Sequence, residues 1–487
     1  GSPWLMLQVR FSLNLALKRF TELLMNPSKY KLNNIHFIGI GGSGMSGIAE
    51  VLNNLGYKVT GSDAANSHNT ARLEELGIDI YYDHKPSNLD DVEMVVRSTA
   101  IKDSNPEILE AKIRSIPILA RAEMLSSLMN NKRGIAIAGT HGKTTTTSLI
   151  ASIMSDAELD PTFINGGIIN SFNSNAQLGK GDYLIAEADE SDQSFLLLQP
   201  SVSVITNIEA DHLVNYENNF SNLKQAFLDF VKNLPFSGIT IVCGDDPVIN
   251  ELKTSFQRPH ISYGFNASND FVISNFQSNE LQSSFTLTAE NFSEDFNLNM
   301  LGRHNVLNAA ASIILCLQEG ISLSVIKKSL DNFMGLDRRM QILGKTSINN
   351  FDCMFIDDYG HHPTEIKQTI EAIKVSFPDH QLVMIFQPHR FTRTQDLFNE
   401  FTDVLKSVDT LFLLDIYSAG EAPIQGIDSL SIKQSLLNSG FKNVLQCDIS
   451  DQLLEEITQG IEEDTVFVFQ GAGDISSVSN KVKSRYF

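Results

Sequence analysis

Cysteine is scarce in this chain: four residues in 487, Cys243, Cys316, Cys353 and Cys447, with no C-x-x-C pair among them. That spacing excludes a disulfide framework and a zinc knuckle, and it fits a reducing, cytoplasmic setting. Basic residues are also in deficit, 37 against 58 acidic, which leaves a formal net charge of −21. Such a balance repels nucleic acid and anionic lipid, so an anionic ligand has to be captured by a local site. Long apolar runs are missing too. The nearest approach, residues 4–25, is broken by Arg10, Lys18 and Arg19 before it reaches the ~20 apolar residues of a membrane helix, so no membrane insertion is expected. Residues 1–32 read as an amphipathic extension without a cleavage site, with Gly1-Ser2 as a cloning remnant and Met25 as a candidate natural start.

What is present is an ordinary globular composition, 42% hydrophobic and 20% charged, at a length that suggests about three domains. The spacing predicts an α/β protein. From Asn33 the order is strand (35–38), glycine loop, helix (48–55) and strand (57–60), a βαβ unit opening a parallel sheet. Apolar runs at 78–80, 94–96 and 116–119 continue it, which sets a first, Rossmann-like domain at 33–120. A second series begins with a strand at 134–138, a second glycine loop and a helix from Thr144, and has later strands at 183–186 and 202–205. Alternation between about 260 and 300 predicts antiparallel strands appended to it, and a helix is expected over 305–317. This central domain is set at 121–335. A third α/β series, with strands at 355–356, 383–386, 411–414 and 466–469, sets a C-terminal Rossmann-like domain at 336–487. Clefts between the domains are the expected site. The chain is expected to be a monomer or a homodimer.

The first glycine loop, Gly39-Ile-Gly41-Gly42-Ser43-Gly44, satisfies G-x-G-x-x-G between a strand and a helix, with Asp63 nineteen residues further on. Glycines let the backbone approach a pyrophosphate, the amides at the helix start hold its charge, and Asp63 would accept from a ribose hydroxyl. NAD, FAD and a UDP-sugar all offer a pyrophosphate to such a loop. An NAD-dependent oxidoreductase therefore stands as a rival reading at this point.

The second loop, Gly139-Thr140-His141-Gly142-Lys143-Thr144-Thr145, is a shortened P-loop, since Ile137 stands where the longer consensus has its first glycine. Its amides would cradle phosphates, Lys143 would reach the β and γ phosphates, and Thr144 would offer a hydroxyl to Mg²⁺. Downstream, Glu187-Ala-Asp-Glu-Ser-Asp192 places carboxylates at a strand end, where a hard cation wants oxygen ligands. Asn207-Ile-Glu-Ala-Asp-His212 follows another strand, with His212 as a candidate second metal ligand. The adjacent His361 and His362 have no Cys or carboxylate set at metal spacing, so a zinc site is rejected there.

These segments, in this order, together with Gly302-Arg-His-Asn-Val-Leu-Asn308 and Asp358-Tyr-Gly-His-His-Pro363, resemble the successive motifs of the Mur ligases over about residues 33–480. The resemblance implies three domains, for a UDP-sugar, for ATP and for an incoming amino acid. Within the family, 41–45, 386–390 with Arg393, and 415–421 are most similar to members that add L-alanine to UDP-N-acetylmuramate through an acyl phosphate, with ATP and one or two Mg²⁺ ions. A tripeptide-adding recycling ligase is the nearer rival. The resemblance implies that Lys143 and Arg339 steady the transferring phosphoryl group. Thr144, Glu187 and His212 would hold metal, and His304, Asn305 and Asn308 would lie near the adenine. Gly41, Gly42, Ser43, Gly44, Met45, Asp63, His84 and Ser98 would face the UDP-sugar. Tyr359, His361, His389, Arg390 and Arg393 would surround the amino acid and the reacting carboxylate, with His361, Arg390 and Arg393 as catalytic residues. Lys224 reads as an ordinary surface lysine.

Overall fold

Apolar runs bounded by glycine loops and amphipathic helices build parallel sheets, because a strand covered by helices on both faces buries every side chain. The computed structural model describes residues 32–211, 213–450 and 452–487 and divides into two compact units, one ending at Met124 and one running from Leu125. The expectations for residues 1–31 and for His212 lie outside the described residues.

In the first unit five parallel strands lie in the order Asp79–Tyr81, Lys58–Ser62, Asn34–Ile38, Met94–Arg97, Ile118–Ala120. The strand order reverses on either side of Asn34–Ile38, and the crevice at such a reversal is where doubly wound folds bind ligands. Gly39–Gly42 and Ser98 sit there, with the helix Ser43–Asn54 starting from the loop. The helix Arg121–Met129 spans the division between the units and runs past the expected boundary at 120.

The second unit holds two sheets. The larger has ten strands, and its parallel centre runs Ile239–Cys243, Val202–Ile205, Arg133–Ala138, Tyr183–Glu187 and Thr162–Ile169. Phe271–Ser278, Ser283–Ala289 and Phe292–Leu298 pair antiparallel at one edge, where alternation had placed such strands. Gly139–Thr145, Glu187 and Thr206-Asn207 all follow or end adjacent parallel strands, which gathers them at one sheet edge. The helix expected over 305–317 spans Arg303–Gln318. Thr162–Ile169 gives no strand signal in the sequence, because Gly166-Gly167 breaks its apolar pattern and its ladder with Ser174–Gln177.

The smaller sheet runs Gln341–Ile348, Phe351–Asp358, Thr465–Gln470, Gln381–Phe386, Thr410–Leu413, Val444–Gln446, with only the first pair antiparallel. Phe355, Phe467 and Phe469 stack in its core. The segments holding Tyr359, His389 and Tyr417 leave the carboxyl ends of its strands on the side facing the P-loop.

Candidate active site

In the first unit the glycine loop is braced from beneath. Gly39 and Ile40 amides donate to Ser62 O at 2.8 and 3.0 Å, and the Gly41 amide donates to Asp63 Oδ2 at 2.8 Å. Asp63 thus tightens the loop itself, with its other oxygen accepting from Ala65 N at 3.2 Å. Gly42 caps the following helix in an extended conformation, and Met45 is buried beneath it. Below the loop lies a carboxylate that motif reading missed. Glu107, fully buried, accepts from Ser62 Oγ at 2.6 Å and Asn88 Nδ2 at 2.8 Å, with His84 Nδ1 at 2.8 Å and His36 Nε2 at 3.3 Å. Burial alone would raise its pKa, but the bonds from His36, Ser62, Asn88 and His84 outweigh that and lower it. His84, held by Nδ1, is fixed in orientation at the edge of the loop.

The P-loop needs its glycines for their backbone. Gly139 has φ +129° and a side chain on it would collide with Thr206 Oγ1; Gly142 has φ +85° and a Cβ would lie 2.5 Å from Asn308 Oδ1. Thr206 Oγ1 and Asn207 Nδ2 donate to His141 O at 2.6 and 3.0 Å, and Asn207 Oδ1 accepts from His141 N at 2.8 Å. The helix Lys143–Asp156 starts at Gly142 without a side-chain cap, so its first-turn amides are free of side-chain acceptors, which suits a phosphate. Lys143 Nζ donates to Glu190 at 2.8 and 3.0 Å and to Thr140 O at 3.2 Å. Burial pushes the Glu190 carboxyl up to about 7 despite the ammonium beside it. Thr144 and Glu187 both border the Gly166-Gly167 hairpin: Glu187 Oε1 accepts from Gly166 N at 2.6 Å, and a Cβ on Gly167 would lie 3.1 Å from Thr144 Cγ2. A hydroxyl and a carboxylate converging where side chains are missing are oxygen donors suited to Mg²⁺.

Between the P-loop and the smaller sheet is a narrow cleft of about 80 Å³, lined by His141, Thr145, His304, Asn305, Asn308 and Arg339 among others. His141 spans it. Its ring lies 3.5 Å from Glu209 Oε2 and 3.3 Å from Glu365 Oε1, and although burial opposes the charge, the two carboxylates raise its pKa to about 9. His141, Glu209 and His362 bring donor atoms within 4.8 Å of one another, a carboxylate partner for His362 that sequence spacing did not reveal. Hydrogen bonding favours an ion-paired clasp over a cation site, since His362 Nδ1 already accepts from Thr364 N and Thr364 Oγ1 donates to Glu209 at 2.8 Å. Burial pushes His304 down to about 4.

Glu365 was also missed, although a capping box at His362 made it legible. It accepts from the amides of His361 and His362 at 2.9 and 3.1 Å, and Arg339 lies 3.8 Å away while its guanidinium covers the Tyr359 ring at 5.0 Å. Burial would raise Glu365, but His361, His141 and Arg339 hold it well below the usual carboxylate range. Tyr359, His361, His389 and Tyr417 then follow as a chain of rings, each centroid 5.5 Å from the next. Arg393 Nη1 lies 3.3 Å from His389 Nδ1. Burial, reinforced by Arg393, pushes His361 and His389 down to about 4, so both are neutral at pH 7. Lys224 pairs with Glu251 at 2.7 Å, away from these groups.

Residues 34–133 match the model of the Mur ligase family catalytic domain, 137–316 the Mur ligase middle domain, and 338–473 the Mur ligase glutamate ligase domain. The chain belongs to the Mur ligase family. Two curated Mur ligase relatives, the UDP-N-acetylmuramate–L-alanine ligases of Ruthia magnifica subsp. Calyptogena magnifica and Vesicomyosocius okutanii subsp. Calyptogena okutanii, are each 47% identical over 460 residues, 94% of this chain and 98% of theirs. Among solved Mur ligase structures, the UDP-N-acetylmuramate–alanine ligase of Thermotoga maritima is 30% identical with a TM-score of 0.79, covering 93% of this chain and 99% of that one. The murein peptide ligase of Psychrobacter arcticus shares the fold at 23% identity, with a TM-score of 0.69 over 93% of this chain and 99% of its own.

Proposed function

We infer that this Mur ligase joins L-alanine to the lactyl carboxylate of UDP-N-acetylmuramate at the expense of ATP, in peptidoglycan precursor synthesis. The observation that carries the reading is the 47% identity, over nearly full length, to ligases of that description. The carboxylate oxygen attacks the γ-phosphorus and ADP leaves; the alanine amine then attacks the acyl carbon, phosphate leaves, and the nitrogen gives up a proton. Two anions must first be brought together, and cations oppose their repulsion. Lys143 supplies one at the P-loop, and Arg339, just ahead of the strand Gln341–Ile348, another. Mg²⁺, when bound, would neutralise charge on the phosphoryl oxygens, and Thr144 and Glu187 are the residues we assign to it. Asn305 and Asn308 line the cleft where we place the adenine, next to His304. The glycine loop from Gly41, with His84 and Ser98, is assigned to the UDP-sugar.

Arg390 and Arg393 suit the alanine carboxylate because a guanidinium makes paired hydrogen bonds to it. Neutral His361 and His389 can accept from the incoming amine. Among the described residues no helix is long and apolar enough to cross a membrane. ATP dependence supports a cytoplasmic setting.

The test is phosphate release from Mg·ATP and UDP-N-acetylmuramate with no amine, with L-alanine, or with L-Ala-D-Glu-diaminopimelate. L-Alanine-dependent release with the amide product detected by mass is expected. Release that needs the tripeptide would reassign the chain to recycling.

A further inference from the structure

We propose that Glu421 and Tyr417, on the loop after the strand Thr410–Leu413, are positioning residues that build the amino-acid site by holding the His389–Arg393 segment in a conformation it would not adopt alone. This rests on the function proposed above.

Arg390 has φ +74° and ψ +135°, a backbone region that glycine occupies freely and a side-chain-bearing residue does not. Such strain persists only where the surroundings over-determine it. Here a second segment does so. The Arg390 amide donates to Tyr417 O at 2.8 Å, and the Tyr417 amide donates to Pro388 O at 2.8 Å, pinning the backbone on both sides of His389. The Tyr417 ring stacks on His389 with an interplanar angle of 15°. Gly473 lies against it, and a Cβ there would come within 2.8 Å of Tyr417 Cβ and Cγ, so the absence of a side chain at 473 is what lets Tyr417 take this place.

Glu421 completes the splint. The short helix Phe391–Asp396 has no cap from its own chain segment, because Arg390 in the cap position has no suitable acceptor. The Glu421 carboxylate takes that place from 29 residues away, accepting from Thr392 N at 3.0 Å and Thr392 Oγ1 at 2.8 Å. Its Oε1 also lies 3.9 Å from Arg390 Nη1. One carboxylate therefore satisfies the helix start and sets the guanidinium beside it, while Arg393 on that helix is directed at His389. Residues 415–421 carry a family resemblance in sequence, and their contacts account for it physically.

The test is steady-state kinetics of the full chain carrying Glu421→Ala, Glu421→Gln, Tyr417→Ala or Tyr417→Phe, with the Tm of each. Both alanine variants are expected to raise the KM for L-alanine on the order of tenfold or more, leaving the KM for ATP and UDP-N-acetylmuramate within about twofold. Glu421→Gln, which keeps an acceptor for Thr392, and Tyr417→Phe, which keeps the ring, should recover most of the loss. An unchanged KM for L-alanine in Glu421→Ala, or an equal rise in all three KM values with a fallen Tm, would overturn the proposal. Absence of L-alanine-dependent turnover in the unsubstituted protein would instead overturn the function on which it rests.

Discussion

Gly42 and Gly142 cap helices at equivalent places in two βα turns, and only the second excludes a side chain. Gly42 has φ −62°, and a Cβ there would meet nothing closer than 3.7 Å. Gly142 has φ +85° and abuts Asn308. The first loop mixes two cases, since Gly39 has φ +81° and a Cβ on Gly41 would lie 2.9 Å from Asp63 Oδ2, while Gly42 keeps its clearance; in the second loop both Gly139 and Gly142 are demanded by the backbone. The loops also differ in charge. The first is braced by neutral hydrogen bonds and Asp63, above a buried carboxylate held by two histidines. The second buries a lysine against an acidic cluster. One motif class thus covers two loops that differ in the charge built around them.

The largest expected effect separates the loops through charge. Lys143→Met should lower kcat about 10³-fold with little change in UDP-N-acetylmuramate affinity, measured by turnover and by calorimetry. The fold should survive, because Glu190, already pushed up to about 7, takes a proton once its partner is gone. The converse break is Glu107→Ala, which leaves His36, His84, Ser62 and Asn88 without their common acceptor. It should destabilise the first unit by about 3 kcal/mol, seen as faster amide exchange in Asn34–Ile38 and Lys58–Ser62, and weaken the UDP-sugar but not ATP.

His141 gives the second loop a pH dependence on the alkaline side. Its folded pKa of about 9 lies above the ordinary 6.5, so its contribution is complete below pH 6.5 and is lost as pH rises through 9. At most about 3 kcal/mol is at stake. Thermal unfolding from pH 6 to 9.5 should show stability falling across that window, and His141→Gln should flatten the slope. The smallest effect sharpens the comparison directly. Gly142→Ala should cost about 1–3 kcal/mol in stability. Gly42→Ala should cost less than about 1 kcal/mol yet raise the KM for the UDP-sugar. Equal stability losses would erase the distinction between the two caps.

Both loops and most parallel strands were legible because each signal is local: a strand, glycines and a helix start within about fifteen residues. The P-loop could be read despite Ile137, which the structure keeps inside the strand, paired with Val204 and Glu187. What could not be read depends on topology. Glu107 reaches His36 across 71 positions of sequence, Glu365 meets His141 from the helix Pro363–Ser376, and Thr206 braces a loop 65 residues before it. No periodicity encodes such meetings. Asp63, read as a ribose acceptor, also accepts from Gly41 in its own loop, a contact that the motif spacing does not encode.

The central claim is that the γ-phosphoryl group of ATP passes to an oxygen of the sugar's lactyl carboxylate. It is tested most directly with UDP-N-acetylmuramate carrying ¹⁸O in the lactyl carboxylate, with Mg·ATP and L-alanine, and the mass of the released phosphate. The account predicts one ¹⁸O in each phosphate, because the oxygen that attacked the γ-phosphorus leaves with it. Unlabelled phosphate would contradict it.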